Sequence, residues 1–248
     1  MISAYRIGFL FLIVALWAWS AQQFGGNVVP SPGETLEAAK RLLREGKLSK
    51  ALGESLEVYL SGYTLAIVCA VPIGVLMGAI RPVGKTLEIY AFALAATPRV
   101  AFIPMIIVLL GLGVKAKVFI VFLGALMPIL INTYTGILAA DMELVEMARS
   151  LGARPTSIFL KVVLPGALPF IIVGLRLGAT IGLISTVVAE LYTAVSGLGG
   201  LLALYGNTFR MAEYFVVVIT LSATGVILTE GLRYLEKSLS RWKPDVNY

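Results

Sequence analysis

The sequence has no histidine and only one cysteine, Cys69, among its 248 residues. Histidine is the commonest metal ligand and the usual general base, so its absence predicts no metal site and no catalytic residue in this chain. A single cysteine in an apolar run cannot supply an intrachain disulfide framework. An intramembrane enzyme is a poor interpretation, because no convincing nucleophile–base pair stands out either.

Charged residues are scarce as well. They make up 14% of the chain against 58% hydrophobic residues, and the mean hydropathy is +0.91. This composition excludes an ordinary soluble domain and predicts an all-α membrane protein embedded in a lipid bilayer. The net charge of +6 is typical of basic cytoplasmic loops in such proteins, so we expect no nucleic-acid partner.

Apolar blocks predict about six transmembrane helices. The first lies within residues 1–27 and is interpreted as an uncleaved span, with a cleaved signal peptide as the alternative. Residues 28–54 are predicted to be a turn-rich linker and an amphipathic surface helix over 34–50. The core, 55–235, holds the other spans, and a basic tail covers 236–248. The predicted spans are 7–19, 56–80, 87–110, 118–139, 168–194 and 214–232, and the segment 201–209 is too short to cross.

The third predicted span is interrupted in its interior. Thr97, Pro98 and Arg99 are followed by Pro104 within the same apolar block. Proline removes a backbone hydrogen bond and pushes the preceding residue out of the helical region. A membrane tolerates such a break only where protein or a water-filled cavity satisfies the freed backbone groups.

A charged interval, residues 141–165, separates two of the apolar blocks. Its charges are too many for hydrocarbon, yet the pattern predicts two short amphipathic helices around a glycine, held at the membrane surface. Asp141 is a plausible N-cap, and Gly152 is expected to supply a left-handed stop. Pro155 suits the first turn of the second helix, and Pro165 is expected to end it. On the first helix, the apolar face is predicted from Leu144, Ala148 and Leu151.

This interval resembles the EAA loop of the membrane subunits of bacterial ABC importers. Glu146-Met147-Ala148, then Gly152, then Leu164-Pro165 carry the resemblance, although many families have alanine where this chain has Met147. The surrounding sequence is similar to the sulfonate, taurine, nitrate and bicarbonate branch of these permeases over roughly residues 28–243. The motifs that extend it are Pro98, 103–104, Gly111, Lys117, 128–133, 145–150, 164–169, 174–176, 189–190 and 196–199.

The resemblance implies a type I importer with a cytoplasmic coupling helix that docks into an ATPase subunit. The residues implied in this coupling are Glu146, Ala148, Gly152, Ala153, Pro155, Ile158 and Phe159. The implied partners are a second permease copy, two ATP-binding cassette ATPase subunits and a periplasmic or lipid-anchored substrate-binding protein. ATP and Mg would be bound by the ATPase, with no cofactor in this chain. The implied location is the bacterial or archaeal inner membrane with both termini cytoplasmic, an orientation that the distribution of Lys and Arg favours only weakly.

Four polar residues are candidates for the translocation pathway of a small anionic solute: Thr97, Arg99, Asn132 and Glu190. An intramembrane charge such as Arg99 faces a cavity or a partner, or else forms an internal ion pair or snorkels. Glu190 is interpreted as a gate or scaffold, with interfacial placement as the alternative. Asn132 suits a hydrogen bond between helices, and the stripe of Gly174, Gly178 and Gly182 suits close helix packing or a homodimer seam.

A secondary transporter or channel that works without ATP is the alternative function. It predicts coupling carboxylates deep in several spans. Only Glu190 among the acidic residues lies well inside an apolar block here. The sequence therefore favours the importer subunit.

Overall fold

The computed structural model describes residues 2–25, 28–194 and 196–239, so residues 240–248 of the predicted tail lie outside the described residues. Every regular element in the described ranges is helical. The elements are α1 Ile2–Phe24, α2 Pro32–Arg44, α3 Lys47–Ala79, α4 Arg81–Ala96, a 3₁₀ turn Arg99–Phe102, α5 Ile103–Leu110, α6 Val114–Leu138, α7 Met142–Ser150, α8 Pro155–Ile158, a π-helical turn Phe159–Val163, α9 Leu164–Thr193, α10 Gly197–Asn207 and α11 Met211–Leu239.

Within the described residues, four helical stretches are long and apolar enough to cross a membrane. They are α3, α6, the continuous run Pro155–Thr193 and the part of α11 over Met211–Gly231. Together, α4 and the segment Arg99–Leu110 are apolar enough for a fifth, and they are bent by 81° at the predicted break, as in a broken span or a re-entrant loop. The apolar part of α1, Gly8–Phe24, is shorter. The all-α membrane fold is confirmed, and the six predicted spans correspond to these five together with α1.

The predicted surface helix over 34–50 is two elements in the structure. A capping box opens α2, in which Ser31 Oγ accepts from the Glu34 N–H at 3.2 Å and the Ser31 N–H donates to Glu34 Oε2 at 2.8 Å. The Ser31 N–H and hydroxyl thereby hold the pKa of the Glu34 carboxyl below its usual range. The helix stops because Gly46 adopts a left-handed conformation, φ +69°. The second membrane helix therefore begins at Lys47, earlier than predicted.

The prediction that Pro165 ends a helix is wrong. The helix continues from Pro155 to Thr193, although proline cannot donate a backbone hydrogen bond and its ring crowds the carbonyl four residues earlier, that of Lys161. The π-helical turn Phe159–Val163 lies directly before this position. Its wider winding makes room for the ring, a local adjustment through which membrane helices tolerate proline.

The chain divides into two compact units, and the second comprises residues 58–189 and 225–248. Here α6 packs closely against α3 and α9 at glycines. A Cβ added at Gly62 of α3 would lie 2.6 Å from Val121 Cβ, and one at Gly178 of α9 would lie 2.6 Å from Ile129 Cγ1. A Cβ at Gly174 would meet Asn132 at 2.8 Å. The predicted role of the glycine stripe in close helix packing is confirmed at Gly174 and Gly178, with α6 as the neighbour, whereas a Cβ at Gly182 would make only ordinary contacts, the nearest 3.5 Å from Tyr59.

The first unit comprises residues 1–57 and 190–224. The Trp17 ring stacks on Phe215 at a centroid distance of 6.0 Å, and its Nε1 donates to the Pro30 carbonyl at 2.9 Å. The buried Glu213 carboxylate accepts hydrogen bonds from Arg41 and Arg210. The hydrogen bond to Glu213 raises the pKa of Arg210. These contacts join the ends of α1, α2 and α11 within this unit.

Candidate functional sites

The charged interval forms a helix–turn–helix, as predicted. Asp141 Oδ1 accepts hydrogen bonds from the N–H groups of Glu143 at 2.9 Å and Leu144 at 3.3 Å, which confirms it as the N-cap of α7. The Glu143 side chain adds negative charge in the first turn, where the helix dipole favours it. The sequence therefore specifies the start of α7 locally.

Gly152 ends α7 in a Schellman motif. Its φ is +77°, its N–H donates to the Arg149 carbonyl at 3.0 Å, and the Ala153 N–H donates to the Ala148 carbonyl at 3.1 Å. Residues other than glycine rarely adopt this backbone conformation. The positive φ and the two hydrogen bonds confirm the predicted left-handed stop. Pro155 then occupies the first turn of α8, as predicted.

The two faces of α7 differ from the predicted pattern. Val145 is its buried residue and Ala148 is half-buried, whereas Leu144, Met147 and Leu151 are exposed. Leu151 is 81% exposed, so the face predicted from Leu144, Ala148 and Leu151 is turned largely away from the rest of the described protein. The helix thus presents three large apolar side chains beside the exposed Glu146, a composition that suits contact with another protein.

The second half of the segment is anchored to the membrane helices. Ile158 is buried, and Phe159 packs against a cluster that contains Ile137 of α6 and Ala167 and Ile171 of α9. Of the other coupling candidates, Ala153 is half-buried, while Gly152 and Pro155 are exposed. Motion of α7 and α8 is therefore tied mechanically to the ends of α6 and α9.

The broken third span lines a cavity of about 390 Å³. Thr97 and Arg99 both lie on its wall, together with apolar residues of α5, α6 and α9 such as Ile106, Ile120 and Ile184. The Thr97 hydroxyl donates to the Ala93 carbonyl of its own helix at 2.8 Å. Arg99 is thus the cationic group of an otherwise largely apolar wall.

Arg99 makes hydrogen bonds to the backbone of α6. Its Nη1 donates to the Gly124 carbonyl at 2.7 Å and to the Leu123 carbonyl at 3.2 Å. The guanidinium group carries five N–H donors, so this anchorage leaves others for the cavity that the residue lines. Arg99 therefore lies at a cavity, one of the placements predicted, and its anchorage on carbonyl oxygens is neither the ion pair nor the snorkelling of the alternative; its role in a translocation pathway stays a prediction.

Asn132 and Glu190 are not among the residues that line this cavity. The Asn132 side chain is half-buried and donates to the Pro128 carbonyl of its own helix at 2.8 Å, rather than across to another helix. In the described part of the chain, the structure therefore brings two of the four pathway candidates together, Thr97 and Arg99.

Glu190 lies in the first unit near the end of α9, where its side chain is 0% exposed and reaches the start of α10. Its carboxylate accepts from the Ser55 hydroxyl at 2.8 and 2.9 Å and from the Gly199 N–H at 2.8 Å. Ser55 Oγ in turn accepts from the Leu198 N–H at 2.8 Å. The Glu54 carboxylate accepts from the Gly197 N–H at 2.9 Å.

These bonds satisfy N–H groups that the first turn of α10 cannot pair within the helix. Two carboxylates at a helix N-terminus are also favoured by its dipole. Gly197 has φ +83°, and a Cβ there would collide with the Glu190 carboxylate. The arrangement supports the scaffold interpretation of Glu190. Glu54 and Ser55 were not predicted from the sequence, because each reaches α10 across 143 positions of the chain and the start of α10 does not indicate which distant side chains will cap it.

The described residues contain no group of three or more His, Cys, Asp or Glu side chains that could hold a metal ion. The described residues offer an exposed apolar surface on α7, a cavity beside the break after α4, and the helix α10 capped by Glu190 and its neighbours.

Comparison with known proteins shows related sequences. A family model described as "Binding-protein-dependent transport system inner membrane component" matches residues 70–241. The putative aliphatic sulfonates transport permease protein of Escherichia coli K12 is 36% identical over 235 residues, covering 94% of this chain and 89% of the relative. The taurine transport system permease protein of the same organism is 27% identical over 248 residues, covering 97% and 90%.

A solved structure shares the fold. A chain of the MetNI methionine ABC transporter, in an inward-facing conformation, aligns with a TM-score of 0.68 at 21% identity. The alignment covers 78% of this chain and 96% of that one.

Proposed function

The chain belongs to the family of binding-protein-dependent transport system inner membrane components, and on that premise we propose that it couples solute import to ATP hydrolysis in a partner subunit. It is the membrane-spanning permease subunit of an ABC importer, with the fold of a type I importer transmembrane domain. Its own residues form the pathway and transmit motion, while ATP and Mg bind to the separate ATPase.

The observation that carries the coupling role is the exposed surface of α7. Leu144, Met147 and Leu151 project from a helix whose ends are fixed by Asp141 and Gly152. A short helix with exposed apolar side chains and fixed ends is a suitable rigid knob for a groove in a partner protein. Glu146 supplies charge beside this surface, and Ile158 and Phe159 connect it to the membrane helices.

The proposed assembly follows from the same surface. With α7 in the cytoplasm and six crossings that include α1, both termini lie in the cytoplasm. Two copies of the permease, two ATPase subunits and a periplasmic or lipid-anchored binding protein complete the importer. The homodimer is the simplest arrangement, since closed two-fold symmetry is by far the commonest among soluble oligomers and needs one kind of permease chain only.

The proposed solute is a small anion. Two relatives are named for aliphatic sulfonates and for taurine, both of which carry a sulfonate group. The Arg99 guanidinium on the wall of the 390 Å³ cavity offers donors to such a group. Thr97 lines the same cavity, Asn132 lies on the adjoining helix α6, and Glu190 supports the pathway by fixing α10 rather than by contacting the solute.

A matched pair of variants tests the docking surface. Met147→Asp introduces a charge at a side chain that is 58% exposed on α7, and Leu36→Asp does the same at one that is 57% exposed on α2, on the opposite side of the membrane in this topology. Affinity purification from native membranes should recover a complex that hydrolyses ATP with the parent and Leu36→Asp chains and lose the ATPase with Met147→Asp. Retention of the ATPase by Met147→Asp would contradict the docking role, and a parent chain that brings down no ATPase would favour a transporter working without ATP.

A further inference from the structure

A proline in the middle of α6 leaves one carbonyl without its helical partner. In a regular helix the N–H of residue 128 would donate to the carbonyl of residue 124, but Pro128 has no N–H to donate. The helix nevertheless continues unbroken from Val114 to Leu138. Gly124 is buried, and inside a membrane its freed carbonyl has to be satisfied by protein or by water from the cavity that Gly124 also lines. A carbonyl in that situation is costly unless another donor reaches it.

The break in the third span brings a donor to this carbonyl. Thr97 adopts an extended conformation, ψ 132°, because a residue before proline avoids the helical region, and α4 ends there. The 3₁₀ turn Arg99–Phe102 then sets the new direction of the chain. At the first position of this turn, Arg99 places Nη1 2.7 Å from the Gly124 carbonyl, and the same nitrogen lies 3.2 Å from the neighbouring Leu123 carbonyl.

We propose that Arg99 is a positioning residue whose guanidinium group replaces the backbone N–H that Pro128 removes, and so fastens the broken span to α6. Two unfavourable features compensate each other in this arrangement. The carbonyl freed by Pro128 gains a strong charge-assisted hydrogen bond, and the cation in the interior of the span gains oxygen ligands that partly replace its water. Arg99, which follows Pro98 at the break of one span, thereby compensates for the hydrogen bond that Pro128 removes in the next.

Packing holds both partners of this contact, the Gly124 backbone and the 3₁₀ turn that carries Arg99. Gly124 faces α9, and a Cβ added at Gly124 would collide with the Ser185 hydroxyl. The two helices therefore approach closely here, which constrains the position of the Gly124 backbone. The 3₁₀ turn is held by α5, whose Ile103 and Ile106 pack with Ile120 of α6 in one buried cluster. Both ends of the bond from Arg99 to the Gly124 carbonyl are therefore supported by packing, which favours a fixed contact over a transient one.

A double-mutant cycle separates this role from a role in binding the solute alone. Pro128→Ala restores the missing N–H, so the Gly124 carbonyl no longer needs Arg99. We expect Arg99→Gln to lower the thermal midpoint of the detergent-solubilised importer complex by at least about 3 °C, and Pro128→Ala to remove more than half of that loss. Pro72→Ala is the matched control: it removes another proline inside a membrane helix, but the carbonyl it frees belongs to Val68 of α3, so it should not relieve the loss.

Two results of this cycle would overturn the proposal. One is that Arg99→Gln lowers the thermal midpoint by the same amount in the parent, Pro128→Ala and Pro72→Ala backgrounds. The other is an unchanged midpoint in Arg99→Gln together with lost uptake, which would make Arg99 a contact of the solute only. Neither result bears on ATPase binding by α7, so the importer function stands or falls separately.

A distance measurement tests positioning directly. Spin labels at Leu94→Cys on α4 and Leu109→Cys on α5, both exposed, report the geometry of the break in a Cys69→Ser background. We expect a narrow distance distribution in the parent, a broadened one in Arg99→Gln, and a narrow one in Arg99→Lys, which keeps a cationic donor. Equal widths in all three chains would contradict a positioning role.

Discussion

A carboxylate that is fully enclosed in a protein must find hydrogen-bond donors there, and Glu190 finds them at the start of α10. Its partners include the Ser55 hydroxyl and the Gly199 N–H, and Glu54 adds a second carboxylate on the Gly197 N–H. At the residue scale, this explains why an acidic residue is found near the end of an otherwise apolar helix. It fixes the short helix that follows.

Glu190→Gln is expected to destabilise the first unit. The amide keeps one acceptor oxygen, but its NH₂ group would face a donor, so at least one bond to the charged group is lost at a cost of about 1.5–3 kcal/mol. Hydrogen–deuterium exchange should show faster exchange at Leu198 and Gly199. Glu230→Gln is the control, because that carboxylate is exposed and pairs only with Arg233 among the described residues. Unchanged protection of α10 in Glu190→Gln would contradict the capping role.

A second residue-scale prediction concerns helix contacts in the membrane. Gly178→Ala places a Cβ 2.6 Å from Ile129 Cγ1 and 3.2 Å from the Ala125 carbonyl, and overpacking of this kind costs about 1–3 kcal/mol. Gly166→Ala is the matched control on the same helix, since a Cβ there meets nothing within 4 Å. The thermal midpoint should fall for the first variant and stay level or rise for the second. Equal midpoints would show that α6 and α9 are not in close contact at Gly178.

At the scale of elements, α7 is fixed at one end by the left-handed Gly152. Gly152→Val adds strain of about 1–2 kcal/mol and should tilt the helix, so that ATP hydrolysis continues without solute uptake. Gly46→Val is the control: it has a similar φ, +69°, and equally open surroundings, but lies between α2 and α3. The ratio of ATP hydrolysed to solute taken up should rise only for Gly152→Val. The same ratio in both variants would remove α7 from the coupling pathway.

The elements also show which structure can be predicted from a single sequence. The start and stop of α7 and the break at Thr97 were predictable, because caps and prolines act within a few residues. The continuation of a helix through Pro165 was not, since it depends on a π-helical turn beside packed residues such as Phe159. Nor was the bond from Glu54 to Gly197, because it joins residues 143 positions apart. Long-range pairings of this kind leave no local signal.

At the scale of the whole molecule, the proposed topology places α7 in the cytoplasm and the turn before α11 outside. In a Cys69→Ser background, Leu151→Cys and Phe209→Cys offer single thiols at side chains that are 81% and 77% exposed. A membrane-impermeant maleimide applied to spheroplasts should label position 209 and spare position 151. Inverted vesicles should give the opposite pattern. The reverse result in both preparations would invert the topology and place α7 away from any ATPase.

In the proposed importer, this chain transmits energy from ATP hydrolysis in a partner to solute movement. The most direct test uses proteoliposomes that contain the permease, its ATPase and its binding protein, with ATP enclosed and with the solute that native mass spectrometry finds on the binding protein. Uptake should stop when vanadate is enclosed with the ATP and continue when an uncoupler dissipates the ion gradients. Uptake that survives vanadate and collapses with the uncoupler would contradict it.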